Sequence, residues 1–321
     1  MSLLHTARDK VFRIRHAIRN WRPVWFYILN RAPRRQWNNF SIKPDNACAK
    51  RVLSDLEKNG IAITNVSELF PEIPLEEFRR FAYATLKNPG IDEEIKAHEA
   101  MLEERVRTGA ERAGKRKYVK DFIVEPWGST GNNMLPDLGS PFIKMSLHNR
   151  ILGIAASYLR LVPQFRAFSL RLTLVSPPGA QEYFSQRWHR DNEDKNLCKM
   201  FMYLTDVGDD DDGPLCYIRE SHTGACFGNI FPSRPPSSVY PDLGGIEKII
   251  PVSAIQKCFG KAGTVIFADT SGLHKGGYVL SAPRLMYTAT YLTKAAVSPI
   301  HLAYTGNRAS LPPLARLALA R

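Results

Sequence analysis

The chain has few cysteines and no long apolar run. Its five cysteines, Cys48, Cys198, Cys216, Cys226 and Cys258, are scattered, odd in number and form no Cys-x-x-Cys step. That pattern argues against a disulfide framework and fits a reducing compartment. No apolar stretch approaches the roughly 20 residues needed to span a bilayer. Near the N-terminus the longest such stretch, Val24–Leu29, covers six residues, and no small-residue cleavage pattern follows it. A secretory signal is therefore disfavoured, and a cytoplasmic location is expected. There is no internal repeat.

Acidic residues are nearly missing from both ends. Residues 1–43 hold ten Lys or Arg against Asp9 alone, a net of +9, and residues 305–321 add three Arg and no acid. The whole chain carries +13, so residues 44–304 are left with only +1. The body is nearly neutral and the ends are basic. The N-terminal segment is also amphipathic: Val11, Ile14, Ile18, Trp21 and Trp25 follow helical spacing, with Arg8, Arg15, Arg19 and Arg22 on another face. Pro23 is expected to end or kink that helix. Two readings stay open. The aromatics dock on the body of the protein, or they enter an anionic membrane surface while the cations meet headgroups, giving a peripheral seat on the inner face of a membrane. A nucleic-acid handle is disfavoured, because no nucleic-acid-binding motif accompanies the charge.

Trp188-His189-Arg190-Asp191, with His274 and Arg284 downstream, is the densest chemical pattern. On a strand, alternate side chains share a face, so His189 and Asp191 can reach one ion while Arg190 points away. A third ligand must come from elsewhere. The apolar, β-branched run Gly263–Ala268 reads as a strand leading into a loop that carries His274. Two histidines and one carboxylate make a facial set suited to iron(II), with open positions left over. A closed four-ligand zinc site fits less well, since no further Cys or His lies nearby. Arg284, ten residues past His274, is the side chain suited to clamping a carboxylate with two parallel hydrogen bonds.

Several segments around these residues fall in one order. They are Gln186–Asp191, Tyr203–Val207, Gly213 to Ser221-His222, and Gly263–His274 followed by Arg284. Together they resemble the phytanoyl-CoA dioxygenase family over about residues 140–295. The resemblance implies a mainly β catalytic core with flanking helices (α+β), a double-stranded β-helix of the jelly-roll type. It also implies an oxygenase that uses Fe(2+), with 2-oxoglutarate and O2 as cosubstrates. His189, Asp191 and His274 would be the iron ligands, and Arg284 the 2-oxoglutarate-binding residue. 2-Oxoglutarate would lose carbon dioxide to give succinate while an aliphatic C–H is hydroxylated. Retention of Asp191 favours hydroxylation or another oxidation over halogenation. One departure is visible: the family often carries Gly before Ser-His, and here that residue is Glu220.

Other candidates are less specific. Gln186 is a candidate hydrogen-bond partner for a cosubstrate or substrate. Phe168–Leu174 alternates apolar and polar side chains, as half-buried strands do. Arg171 then binds an anionic substrate group if its face lines the barrel, or meets water if it does not. Tyr203 is a second substrate candidate and shares parity with Lys199, for which a structural role is expected. His222 is expected to stabilise its own turn. Asp209–Asp212 reads as a solvated turn rather than a calcium site, since four adjacent carboxylates cannot all face one ion.

The expected organisation is a basic N-terminal segment (1–43), a dioxygenase domain (44–304) and a basic tail (305–321). Within the domain, a helix over Ala47–Asn59 and a strand over Gly60–Thr64 open the chain. Helices follow over residues 75–120, broken at Pro89-Gly90, and another runs from Phe142 to Leu159. Strands dominate from Phe168 to Leu292, interrupted by a Pro/Ser-rich loop from Pro232 to Pro241. The substrate class this favours is a small or lipid-linked metabolite. The alternatives are the same chemistry on nucleic acid or protein, or a silent binding domain that keeps the fold.

Overall fold

The computed structural model describes residues 3–40, 42–109, 120–129, 136–232, 240–297 and 304–319. Chain order begins with helix α1 (Leu3–Asn20), a wide helical turn (Val24–Leu29) and α2 (Arg31–Phe40). Next come α3 (Ala47–Asn59), strand β1 (Ile61–Asn65), α4 (Val66–Leu69), α5 (Leu75–Leu86), α6 (Ile91–Thr108) and β2 (Ile123–Gly128). Helices α7 (Pro141–Ser146) and α8 (Asn149–Leu159) precede the strands β3 (Gln164–Thr173), β4 (Cys198–Tyr203), β5 (Leu215–Ile218) and β6 (Ile255–Cys258). The chain ends with β7 (Thr264–Ala268), β8 (His274–Lys275), β9 (Arg284–Leu292) and α9 (Pro313–Ala318).

Local chemistry explains these boundaries. Helix α3 starts where the Asn46 side chain accepts the Ala49 N–H at 2.7 Å and stops at Gly60, whose φ of +76° suits a residue without a Cβ. A Cβ at Gly60 would lie 2.4 Å from the Tyr217 hydroxyl and 2.5 Å from His222 Nδ1, so the site also demands glycine for space. Helix α6 carries Asp92, Glu93 and Glu94 in its first turn and Arg105 and Arg107 in its last, matching the helix dipole.

The strands form two antiparallel sheets. The larger has the order β1-β7-β4-β9-β3-β2 and the smaller the order β6-β5-β8. Period-two alternation splits the larger sheet into two faces. Met200, Met202, Phe267, Phe168, Leu170, Tyr287, Ala289 and Tyr291 point toward the helices and form the main core with α3, α5, α7 and α8. On the opposite face Phe201, Tyr203, Ile266 and Met286 pack against Leu215, Tyr217 and Cys258 of the smaller sheet. Of the candidate residues, Arg171, Lys199, Tyr203 and Arg284 lie on this second, inter-sheet face.

Three expectations are corrected. Residues Phe142 to Leu159 are not one helix but α7 and α8. Ser140 caps α7 and His148 caps α8, its Nδ1 accepting the Arg150 N–H at 3.1 Å. The last strand-rich region begins at Gln164, four residues before Phe168. His189 and Asp191 do not lie on a paired strand: His189 makes a single antiparallel bridge with His274. Most of the Pro232–Pro241 loop, and the end of the helical stretch expected up to residue 120, lie outside the described residues. All five cysteines are free. No helix among the described residues is long and apolar enough to cross a membrane.

Candidate active site

The bridge between His189 and His274 is closed by two backbone hydrogen bonds of 3.0 Å, one in each direction. Their rings lie side by side, tilted by 46°, with centroids 4.2 Å apart. Two residues on, the Asp191 N–H bonds the Thr270 carbonyl at 2.8 Å. One bridge and one further bond thus maintain the alternation that a full strand would supply.

Each imidazole is oriented by its own backbone. His189 Nδ1 lies 2.9 Å from the Arg187 carbonyl, and His274 Nδ1 lies 3.0 Å from the Gly272 carbonyl. A carbonyl only accepts, so both Nδ1 atoms carry the proton and both Nε2 atoms present a lone pair. His189 Nε2 is 3.9 Å from Asp191 Oδ1, and His274 Nε2 is 3.6 Å from Asp191 Oδ2. One ligand atom from each of the three residues fits within 4.8 Å of the other two. No other such group of His, Cys, Asp and Glu occurs among the described residues.

The protonation states suit a metal. Burial, helped by the neighbouring His274, pushes His189 down to about 3. Burial likewise lowers His274. Both rings are therefore neutral near pH 7. Burial tends to raise Asp191, but the charged Lys199 outweighs it and holds the carboxyl well below its usual range. Two neutral imidazoles and a carboxylate, with no thiolate in the set, suit a borderline-to-hard divalent ion such as iron(II).

Lys199, on the inter-sheet face of β4, reaches this carboxylate: its Nζ donates to Asp191 Oδ2 at 2.5 Å and to Glu193 Oε1 at 3.4 Å. Asp191 and Glu193 outweigh burial and raise its pKa, so it stays charged. Sequence reasoning gave Lys199 a structural role and missed this contact; parity with Tyr203 was the only available signal. Arg190 does point away, and all five of its N–H bonds have acceptors. Nε donates to the Phe231 carbonyl, Nη1 to those of Ser221 and Ser271, and Nη2 to those of Phe227 and Ile230. It ties the segment bearing two ligands to the segment bearing the third.

Arg284 opens β9 opposite Thr173 of β3. Its guanidinium is buried, at 5% exposure, and burial lowers its pKa. Nη1 donates to the Gly213 carbonyl, while Nε has no partner. No carboxylate among the described residues pairs with it. A buried cation without a counter-ion is costly, and that cost is removed when an anion binds. Gly277, with φ +89°, leaves the approach clear: a Cβ there would lie 3.4 Å from Arg284 Nη2.

The remaining candidates separate. The Gln186 amide is engaged on both sides, donating to the Gly277 carbonyl at 3.0 Å and accepting from the Tyr183 N–H at 3.2 Å; it fixes the loop against Arg284. The Tyr203 hydroxyl donates to the Cys258 carbonyl and accepts from the Leu215 N–H, both at 3.0 Å. Its ring lies 5.9 Å from the Arg284 guanidinium carbon. Arg171 is on the inter-sheet face, paired with Glu125 at 2.8 Å and still partly exposed. Near it the cross-strand pair Ser169 and Thr288 presents two buried hydroxyls with no partner. Glu220, the departure noted above, has φ +59°, which explains why glycine is favoured there. His222 packs against Gly60 with Nδ1 unpartnered. Asp209, Asp210 and Asp211 face solvent, and Asp210 pairs with Lys257 at 2.6 Å.

No family profile matches the chain, and no curated protein matches it. Solved structures do. One is the epimerase SnoN in complex with Fe3+, alpha ketoglutarate and nogalamycin RO, at 15% identity and TM-score 0.43, covering 78% of this chain and 85% of that one. Another is EctD from S. alaskensis with bound Fe, at 19% identity and TM-score 0.44, covering 82% and 80%. A third is HygX from Streptomyces hygroscopicus with nickel and 2-oxoglutarate bound, at 13% identity and TM-score 0.40, covering 75% and 86%. Likenesses this distant transfer no function; the chain's own side chains must indicate it.

Proposed function

We propose that this chain is a non-haem iron(II)- and 2-oxoglutarate-dependent oxygenase of the phytanoyl-CoA dioxygenase type. Its core would be a double-stranded β-helix, and its reaction the hydroxylation of an aliphatic C–H in a small or lipid-linked metabolite. The observation that carries the reading is a convergent His189–Asp191–His274 set in a fold that also buries an arginine with no counter-ion.

In this reading His189, Asp191 and His274 hold the metal through atoms already turned toward one point. Arg284 takes the distal carboxylate of the keto acid, with its unpartnered Nε available as a donor. Lys199 balances the charge of the Asp191 carboxylate through its bond to Oδ2. Gln186 and Tyr203 keep the surroundings of Arg284 rigid. Arg171, Ser169 and Thr288 offer polar contacts to a bound molecule between the sheets. When bound, iron and the keto acid supply the oxidising chemistry, consuming O2 and releasing succinate and carbon dioxide. The protein's contribution is orientation and the exclusion of side reactions.

The test is anaerobic addition of iron(II) and 2-oxoglutarate, followed by O2 and a pooled metabolite extract. Wild type is expected to show the visible charge-transfer absorption of a bound iron–keto acid pair and then extract-stimulated succinate formation. His189→Ala should lose both. Arg284→Ala should weaken 2-oxoglutarate binding at least about tenfold, as removal of a bidentate charged clamp does. Failure of iron and 2-oxoglutarate to bind together would leave a silent binding domain as the better reading.

A further inference from the structure

Helix α1 is inverted relative to an ordinary surface helix. Such a helix turns its apolar stripe to the core and its charges to water. Here the partly buried face is Phe12, His16, Arg19 and Asn20, a mostly polar set. Arg19 donates to the carbonyls of Ala295 and Ala296, the His16 ring meets the Asn192 backbone, and Asn20 bonds His16 at 3.0 Å. Val11, Ile14, Ile18 and Trp21 occupy the opposite face at helical spacing, and each is between 49% and 64% exposed. Tyr27 and Ile28, in the turn that follows, are exposed as well. Exposed cations flank the stripe, with Arg15 and Arg22 on one side and Lys10 and Arg13 on the other.

We propose that this face of α1 seats the protein on an anionic lipid bilayer, with the apolar stripe entering the headgroup boundary and the flanking cations contacting lipid charge. Charge complementarity selects this occupant. A second copy of the chain would bring two segments of +9 together, and like charges at that density repel. A nucleic acid would engage the cations and leave the apolar stripe in water. A bilayer interface takes both.

The seat is joined to the candidate metal centre. Trp25, on the turn after α1, donates to Asp194 Oδ1 at 2.7 Å, and Asp194 Oδ2 accepts the Thr293 N–H at 2.8 Å. The docked face of α1 touches Asn192, the neighbour of Asp191. The docked face of α1 is therefore in contact with the segment that carries Asp191. Combined with the oxygenase reading, on which this step rests, the substrate class becomes a bilayer-resident lipid or lipid-linked molecule.

The experiment is co-sedimentation of the full-length protein with vesicles of phosphatidylglycerol in phosphatidylcholine, compared with phosphatidylcholine alone. Wild type should bind the anionic vesicles, bind neutral ones weakly, and release as salt is added. Ile14→Glu with Ile18→Glu, and separately Arg15→Glu with Arg22→Glu, should each lower partitioning at least about tenfold. Trp21→Ala serves as a milder second variant and should weaken binding in the same direction. Iron and 2-oxoglutarate binding, measured on the same proteins, should be unchanged, which keeps failure of the seat distinct from failure of the chemistry. Absence of wild-type binding, or binding that none of the variants alters, overturns the proposal. So does a wild-type dimer that the isoleucine variants dissociate, which would make the stripe a self-interface.

Discussion

At the scale of single residues, the candidate site is organised by charge balance. Asp191 would be a buried anion between two neutral rings were it not for Lys199. Removing one member of a buried ion pair usually costs about 3–5 kcal/mol, because the other is left uncompensated. Lys199→Met is therefore expected to lower the thermal stability of the metal-free protein by an amount in that range. A divalent metal supplies positive charge at the same carboxylate, so the metal-induced rise in Tm should be larger in the variant than in wild type. Thermal melts with and without manganese(II) test this. An equal rise in both proteins would show that Lys199 and the metal do not share Asp191.

At the scale of elements, two of the three candidate ligands, His189 and Asp191, sit outside the regular strands, while His274 opens the two-residue β8. A single bridge joins His189 to His274, and the segments around it are largely loops. Arg190 supplies rigidity that a strand ladder would otherwise give, joining the 190 segment to the carbonyls of Ser221, Ser271, Phe227, Ile230 and Phe231. Lysine has three donors and no planar fork, so Arg190→Lys leaves at least two of these carbonyls unpaired. The expected loss is about 3 kcal/mol, from the cost of unmet buried acceptors, together with weaker metal binding because His274 follows Ser271 by three residues. Denaturant titration and metal titration of the variant measure the two effects. A variant as stable as wild type would show that water replaces the guanidinium.

At the scale of the whole molecule, the N-terminal segment is both docked and exposed, and two tryptophans mark the division. Trp25 is 4% exposed, belongs to the main core and bonds Asp194. Trp21, one helical turn earlier, is 64% exposed. Trp25→Ala should cost about 3–5 kcal/mol through lost packing and the loss of one hydrogen bond to Asp194. Trp21→Ala should change stability by no more than about 0.5 kcal/mol. Chemical denaturation of the two variants gives the comparison, and equal losses would show that the helix docks by its apolar stripe after all. The same contrast explains why removing residues 1–43 entirely would be a poor probe of membrane binding: the core would be opened along with the stripe.

Local pattern alone was enough to read much of this protein. Parity placed His189 and Asp191 on one side and Arg190 on the other; the helix expected over Ala47–Asn59 is α3 with the same bounds; alternation marked β3. These features depend on neighbours within a few residues, so sequence carries them. Periodicity could identify the Phe142 to Leu159 stretch as helical but not divide it, because His148 fits a helix interior in pattern and acts here as a cap. Other features depended on which distant segments meet. Lys199 at Asp191, the carbonyls gathered by Arg190, the unpartnered hydroxyls of Ser169 and Thr288, and the inter-sheet side for Arg171 all follow from sheet pairing between residues far apart in the chain. The N-terminal helix shows the division most plainly. Its sequence determined that it would be amphipathic and basic. Only the tertiary structure decided which face docks, because the hydrogen bonds of Arg19 to Ala295 and Ala296 and of Trp25 to Asp194 turn the apolar stripe outward.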